Sequence, residues 1–270
     1  AVIMAGGEGK RLRPLTCTIP KPMAKILGRP VIEYIFELLS THGVTQAAVT
    51  LGYMPHVIEK NYENGYKNLK LKFLKEDEPL GTAGSVKNAA SGFDEPFFVI
   101  SGDAFCDFDL KKIMRFHLDS KSKITIIATE KTDPREYGLI KTGEDNRVTG
   151  FIEKPSWSQA VSDLINTGVY VINPECLELI PSGKSFDFAS DLFPLMLQKN
   201  MPIYCYHTDG YWCDVGNIQS YLKCQRDAFE GRFNAPVSFS ENGIYMSILQ
   251  KTNQLSIPCN LLTVAAGTAT

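Results

Sequence analysis

The chain has 270 residues, 44% of them hydrophobic, which is enough for one large or two modest globular domains. Its 28 basic and 30 acidic residues leave a formal charge of −2, which argues against nucleic acid as a partner. The longest apolar runs, at 1–5 and 97–100, fall far short of the ~18 residues of a membrane helix, so no membrane partner is expected.

No charged, cleavable leader opens the sequence, so secretion is not expected. Ala1 already sits in a strand-like run, and a short preceding segment is expected. Seven irregularly spaced cysteines with no C-x-x-C pair fit a reducing cytoplasm better than a disulfide scaffold.

Residues 2–4 read as a strand that runs into a glycine-rich loop. Pro30 opens an amphipathic helix over 31–39, with Gly43 as its stop. A buried strand follows at 47–51 and a helix at 55–64. Residues 69–73 alternate apolar and lysine, the pattern of an edge strand with one wet face. A helix over 82–90 precedes the apolar strand 97–100. Asp109 can N-cap a helix through Ser120, and 123–129 returns as a strand.

Alternating helices and uniformly apolar strands predict an α/β, Rossmann-like fold, with a mostly parallel sheet and helices on both faces. Ligands of such sheets bind beyond the carboxyl ends of the strands. Strands are expected next at 147–153 and 167–172, and helices near 174–180, 187–199 and 217–230. No Pro/Ser-rich linker interrupts this pattern, so residues 1–233 are expected to form one domain with two halves. The short C-terminal extension, 234–270, carries only Glu241 and Lys251 as charges, and Leu249, Leu255 and Leu261 recur every six residues. It stays unassigned, the start of a β-helix or a linker.

The loop after the first strand reads Ala5-Gly6-Gly7-Glu8-Gly9-Lys10-Arg11-Leu12-Arg13-Pro14-Leu15-Thr16. Consecutive glycines let backbone N–H groups close on an anion. From Glu8 to Lys25 there are five cations (10, 11, 13, 21 and 25) and one acid, an excess of +4. A triphosphate is the natural guest. Two other phosphate loops fail by position. A P-loop needs Gly at 4 and Ser or Thr at 11, where Met4 and Arg11 stand. A dinucleotide fingerprint needs Gly or Ala at 12, which is Leu12.

This run, followed by Pro20-Lys21-Pro22, resembles the signature of sugar-1-phosphate nucleotidylyltransferases, G-G-x-G-T-R-L-x-P-L-T and then P-K-P. The resemblance implies a fold of the nucleotide-diphospho-sugar transferase type. It also implies that Ala5, Gly6, Gly7, Gly9, Lys10 and Arg11 wrap the nucleotide phosphates. Arg11 would clamp the leaving pyrophosphate and Lys21 would touch the phosphate under attack, the two catalytic cations. Lys10 departs from the pattern, which has Thr there, and restoring Thr is expected to leave activity similar or higher.

Asp103 closes the strand at 97–100, and Asp214 lies in Trp212-Cys213-Asp214-Val215-Gly216. Taken alone, each reads as a turn residue or helix cap. The resemblance makes them metal ligands and Mg²⁺ the cofactor, since magnesium takes one or two carboxylates plus phosphate oxygens and water. Glu153-Lys154-Pro155 presents an acid and a base at a strand end. Pro155 is expected to hold Lys154 extended, so that the two project to opposite sides. By resemblance Glu153 meets sugar hydroxyls and Lys154 the sugar phosphate, while Tyr137, Gly138, Asn166, Thr167 and Gly168 match sugar-contacting segments. Leu80, Gly81 and Thr82 match a segment that reads the base, although alone they are an ordinary helix start with Thr82 as cap. Cys205, His207 and Cys213 lack a fourth zinc ligand, and the first two more simply share a strand face.

The implied reaction is NTP + sugar 1-phosphate ⇌ NDP-sugar + pyrophosphate. No general base is required, because a phosphate dianion is already a nucleophile. The partners are then two small molecules, and homo-oligomerisation stays open. One alternative is a non-catalytic paralogue that binds sugar nucleotides and regulates a partner. Another, a cytidylyltransferase for an alcohol phosphate, leaves E-K-P and N-T-G unexplained. Gly84 and Ser85 stand where the thymidylyltransferase branch has Gln, which leaves room for a purine. The runs Leu80-Gly81-Thr82-Ala83-Gly84 and Ser101-Gly102-Asp103-Ala104, with Asp107-Phe108-Asp109-Leu110, most resemble the mannose-1-phosphate guanylyltransferase-like branch and close glucose-1-phosphate-using relatives. GTP with mannose 1-phosphate is the expected pair, and UTP or dTTP with glucose 1-phosphate the second.

Overall fold

A computed structural model describes residues 1–76, 78–157 and 162–234. In chain order its strands are β1 (Val2–Ala5), β2 (Lys25–Ile26), β3 (Arg29–Pro30), β4 (Gln46–Leu51), β5 (Lys70–Lys75), β6 (Phe97–Ser101) and β7 (Ala104–Cys106). They continue with β8 (Ile124–Glu130), β9 (Gly138–Thr142), β10 (Val148–Glu153), β11 (Leu164–Ile172), β12 (Ile203–His207) and β13 (Trp212–Asp214). The α-helices are α1 (Val31–Thr41), α2 (Pro55–Tyr62), α3 (Gly81–Ala89), α4 (Leu110–Asp119), α5 (Phe193–Gln198) and α6 (Ile218–Phe229).

Nine strands make one sheet in the order β10-β9-β11-β6-β1-β4-β5, with β8 and β12 branching from β11. The run β6-β1-β4-β5 is parallel throughout. Within the sheet, β10 and β11 run against the other strands. The expected mostly parallel sheet is therefore present, with an antiparallel insertion that the apolar pattern of β11 conceals.

Successive residues of β1 serve opposite layers. Ile3 packs with Ile35, Phe36 and Leu39 of α1 and with Ile113 of α4. Val2 packs with Ala83 and Val86 of α3 and with Phe188 and Phe193. Both faces are thus covered, and truncating such a buried Ile to Ala costs about 2–5 kcal/mol. A third cluster, built on Leu12, Ile26, Tyr34, Phe105 and Val215, lies under the glycine loop.

The structure departs from the sequence expectations in particular places. β11 begins at Leu164, and its pairing with β8 is broken by a bulge between Asn166 and Tyr170. β9 and the short pair β7–β13 had no signal of their own. Residues 174–179 form a 3₁₀ turn, and 188–192 a π turn that precedes α5. Pro194 accounts for the latter: it has no N–H for an α-type bond, and the neighbouring Phe193 N–H reaches back five residues to the Phe188 carbonyl. The C-terminal extension lies, from residue 235 on, outside the described residues. Among those described, no helix is long and apolar enough to cross a membrane.

Candidate active site

The glycine loop leaves β1 at the carboxyl edge of the parallel strands. The Gly6 carbonyl accepts from Tyr53 N–H at 3.2 Å, fastening the loop to the segment after β4. Gly9 has φ +65°, and a Cβ there would lie 2.9 Å from that of Lys21, so an L side chain is both strained and blocked. Thr16 donates its hydroxyl to the Gly9 carbonyl at 2.8 Å, and Leu12 donates its N–H to the same oxygen at 2.9 Å. Leu12 is fully buried. The loop is therefore pinned at Leu12 and Thr16, while Lys10, Arg11 and Arg13 stay at the surface.

Asp103 and Asp214 come together through a pairing of strands distant in sequence. Beyond β6, Gly102 donates to the Met4 carbonyl at 2.8 Å, and a Cβ on Gly102 would sit 2.8 Å from that oxygen. β13 then pairs antiparallel with β7, Asp214 opposite Ala104, and Val215 N–H donates to the Asp103 carbonyl at 3.0 Å. Lys21 Nζ is in direct contact with Asp103 Oδ2, the two side chains being 15% and 19% exposed. Burial would raise the Asp103 carboxyl, but the Lys21 charge and hydrogen bonds from Lys21 and Ser101 outweigh it and hold it below the usual range. Asp214 moves the other way. Burial and then the Asp103 charge raise it, against the Tyr137 hydroxyl, which donates to it at 2.9 Å.

Beside this pair lies an open cleft of about 400 Å³, lined by Glu8, Gly9, Lys10, Arg11, Lys21 and Gly216. Glu8 bridges Lys10 and Arg13, each at 2.9 Å. Arg11 reaches Glu136 at 3.5 Å across the surface. A side chain at Gly216 would collide with the Asp214 carboxylate and lie 3.6 Å from Arg11 Nη2.

The sugar-side candidates sit on β9, β10 and β11. Gly138 stands opposite Glu153 in register, and a Cβ there would strike the Phe151 ring and lie 2.9 Å from Glu153 Oε2. Desolvation and the Asp187 charge raise the Glu153 carboxyl, with Lys154 opposing. Lys154 is not extended, as the following proline led us to expect. Its φ is +45°, and its N–H donates to the Tyr137 carbonyl at 3.1 Å. Proline disfavours the right-handed helical region at the preceding residue, and here the left-handed region closes a turn onto Tyr137.

The Asn166-Thr167-Gly168 bulge shapes the wall. Thr167 is buried, with its hydroxyl on the Ile127 carbonyl at 2.7 Å and its own carbonyl accepting from Trp212 Nε1 at 3.0 Å. Asn166 donates to the Tyr170 hydroxyl at 2.9 Å and accepts from Gly168 N–H at 3.0 Å. Gly168, φ +74°, brings the bulge over Ser101, where a Cβ would be 3.1 Å from that of Ser101.

Comparison with known proteins gives the family. The family model described as nucleotidyl transferase matches residues 1–231. The chain belongs to the nucleotidyl transferase family. One curated relative, a mannose-1-phosphate guanyltransferase of Debaryomyces hansenii, is 38% identical over 229 residues, covering 82% of this chain and 62% of its own. A UTP–glucose-1-phosphate uridylyltransferase of Synechocystis is 36% identical over 243 residues, covering 84% and 62%. The chain thus spans 62% of the length of these curated relatives. Among solved structures, HddC from Yersinia pseudotuberculosis complexed with GMP-PN superposes with TM-score 0.72 at 33% identity, covering 84% of this chain and 98% of that one.

In this family member the segment 80–84 opens α3 in a way that differs from the expected cap. Leu80, not Thr82, holds the N-cap position, without a side-chain cap bond. The exposed N–H groups are satisfied from elsewhere: Thr82 by Asp187 Oδ1 at 2.8 Å, and Ala83 and Gly84 by the Phe186 carbonyl at 2.9 and 3.0 Å. The Thr82 hydroxyl also donates to Asp187 and accepts from Phe188 N–H at 3.0 Å. Gly81, φ +71°, has no room for a Cβ, which would lie 2.7 Å from backbone atoms of Phe186. Sequence reasoning missed Asp187, which holds the start of α3 through Thr82 and acts electrostatically on Glu153. No local motif marks it. His207 and Cys205 lie two apart on β12, and no metal-binding group of three His, Cys, Asp or Glu occurs among the described residues.

Proposed function

We propose that the chain transfers a nucleotidyl group from an NTP to a sugar 1-phosphate, giving NDP-sugar and pyrophosphate. The observation that carries this reading is the β7–β13 pairing, which joins Asp103 and Asp214 beside the cation-lined glycine loop. An oxygen of the sugar phosphate attacks the α-phosphorus, and the bond from that phosphorus to the β-phosphate oxygen breaks. No proton has to move. Catalysis then rests on alignment and charge neutralisation.

Arg11 and Lys21 stabilise charge on the departing and transferring phosphates, and Lys154 orients the attacking phosphate. Glu153 is the acceptor for sugar hydroxyls. Two adjoining carboxylates, one of them raised by burial and by its neighbour's charge, form a site that a divalent cation relieves. With two protein carboxylates and the remaining ligands left to water and phosphate, the donor set fits magnesium. Asp103 and Asp214 would hold it, and it would supply neutralisation of phosphate charge.

We favour GTP and mannose 1-phosphate as substrates. The small residues Gly84 and Ser85 on α3, the guanyltransferase relative and the GMP-PN complex of HddC support this pair. The uridylyltransferase relative supports a second reading, UTP with glucose 1-phosphate. Six free cysteines among the described residues fit a cytoplasmic setting. A matrix of four NTPs against several sugar 1-phosphates, read by pyrophosphate release, tests the reading. A kcat/KM for UTP or dTTP about tenfold above that for GTP overturns the guanine preference and leaves the reaction class standing.

A further inference from the structure

The loop carries its own anion. Glu8 divides its carboxylate, Oε2 to Lys10 Nζ and Oε1 to Arg13 Nη2, both at 2.9 Å. It lines the same cleft as Lys10, Arg11 and Lys21. The other loop cations have partners on distant segments, Arg11 on Glu136 and Lys21 on Asp103. Glu8 differs because both of its partners, Lys10 and Arg13, belong to its own loop.

We infer that Glu8, held on the loop by Arg13, is a built-in counter-anion that competes with pyrophosphate for Lys10, and so keeps that product from being held too tightly. Lys10 is the exchangeable arm, with its side chain 71% exposed and that of Glu8 38% exposed. In the free site the arm rests on Glu8, and on a bound pyrophosphate it turns to a phosphate oxygen. Lys10 thereby gains a role that a threonine hydroxyl could not fill, at the pyrophosphate end alone. The inference rests on the nucleotidyl-transfer reading for its biological meaning.

The test compares wild type, Glu8→Gln, Lys10→Thr and the double variant by calorimetric titration with magnesium pyrophosphate. The inhibition constant of pyrophosphate in the forward reaction is measured in parallel. Each exposed pair is worth up to ~1 kcal/mol, so Glu8→Gln should bind pyrophosphate about fivefold tighter. The KM for sugar 1-phosphate should not move. The gain should shrink in high salt, because it is a charge effect at the surface. It should also shrink in the Lys10→Thr background, as coupled partners are not additive.

Unchanged or weaker pyrophosphate binding in Glu8→Gln overturns the inference and makes Glu8 a strut of the loop. A gain identical with and without Lys10 removes Lys10 from it. Failure of the wild type to release pyrophosphate from any substrate pair is a separate result. It ends the transfer reading, while the titrations still decide whether Glu8 competes.

Discussion

The parallel half of the sheet, β6-β1-β4-β5, and the mixed half around β11 assemble their parts of the site by different means. In the parallel half the glycine loop grows directly from the end of β1, and its shape follows from glycines, a buried Leu12 and a few short-range bonds. In the mixed half the candidate groups are set by strand pairing and by contacts between distant segments: Gly138 faces Glu153 across the β9–β10 hairpin, Tyr137 meets Asp214, and Trp212 meets Thr167. The first half is a local motif on a rigid edge. The second is a wall closed by strand pairing. Asp103 and Asp214 stand at the seam, one contributed by each side of the β7–β13 pair.

The harshest way to break this comparison is at the seam. Asp103→Asn and Asp214→Asn should each lower turnover about 100-fold, ~2.7 kcal/mol, measured at limiting Mg²⁺. Near-wild-type turnover removes that residue from the proposed metal site. Lys154→Ala should separate the halves. Loss of a charge-assisted contact of about 1.5–3 kcal/mol raises KM for the sugar phosphate by roughly ten- to a hundredfold and spares NTP affinity. Equal losses for both substrates contradict the assignment.

Asp187→Ala probes the strap between halves. It removes the acceptor for Thr82 at the start of α3. The expected cost is about 1–2 kcal/mol of stability by chemical denaturation, the cost of a lost helix cap. No change in stability sinks the idea that this segment secures α3.

The smallest effect belongs to His117, buried in the mixed half between Thr125, at 2.8 Å, and Asn173, at 3.1 Å. Burial lowers its pKa below the ordinary histidine value, with the Asn173 bond opposing. The unfolded chain therefore takes up the proton more readily than the folded one. Stability from this site is full above about pH 6.5 and declines as pH falls below it. His117→Gln should flatten that decline, and an unaltered pH profile argues that other groups cause it.

These two halves were unequally legible in the sequence. Pro30, Gly43, Asp109 and the glycine loop announce elements through local backbone preferences, and the structure follows them closely. β9, β7 and β13 are short or ordinary in composition; β7 and β13 exist only through a partner about a hundred residues away, and β9 through its hairpin with β10. Lys154 shows the same limit at one residue. Proline excluded one backbone region, but the contact with Tyr137 chose between the two that remained. Thr82 was a plausible cap until Asp187, more than one hundred residues on, took the role. The loop cations were visible by counting, whereas their carboxylate partners at Asp103 and Glu136 were not.

The most direct measurement of the central claim is pyrophosphate release by the purified protein with Mg²⁺, one NTP and one sugar 1-phosphate. The account predicts release that requires both substrates together, fastest with GTP and mannose 1-phosphate. Absence of release from all four NTPs with every sugar 1-phosphate offered, by protein that still binds a sugar nucleotide, contradicts it and leaves a binding paralogue in its place.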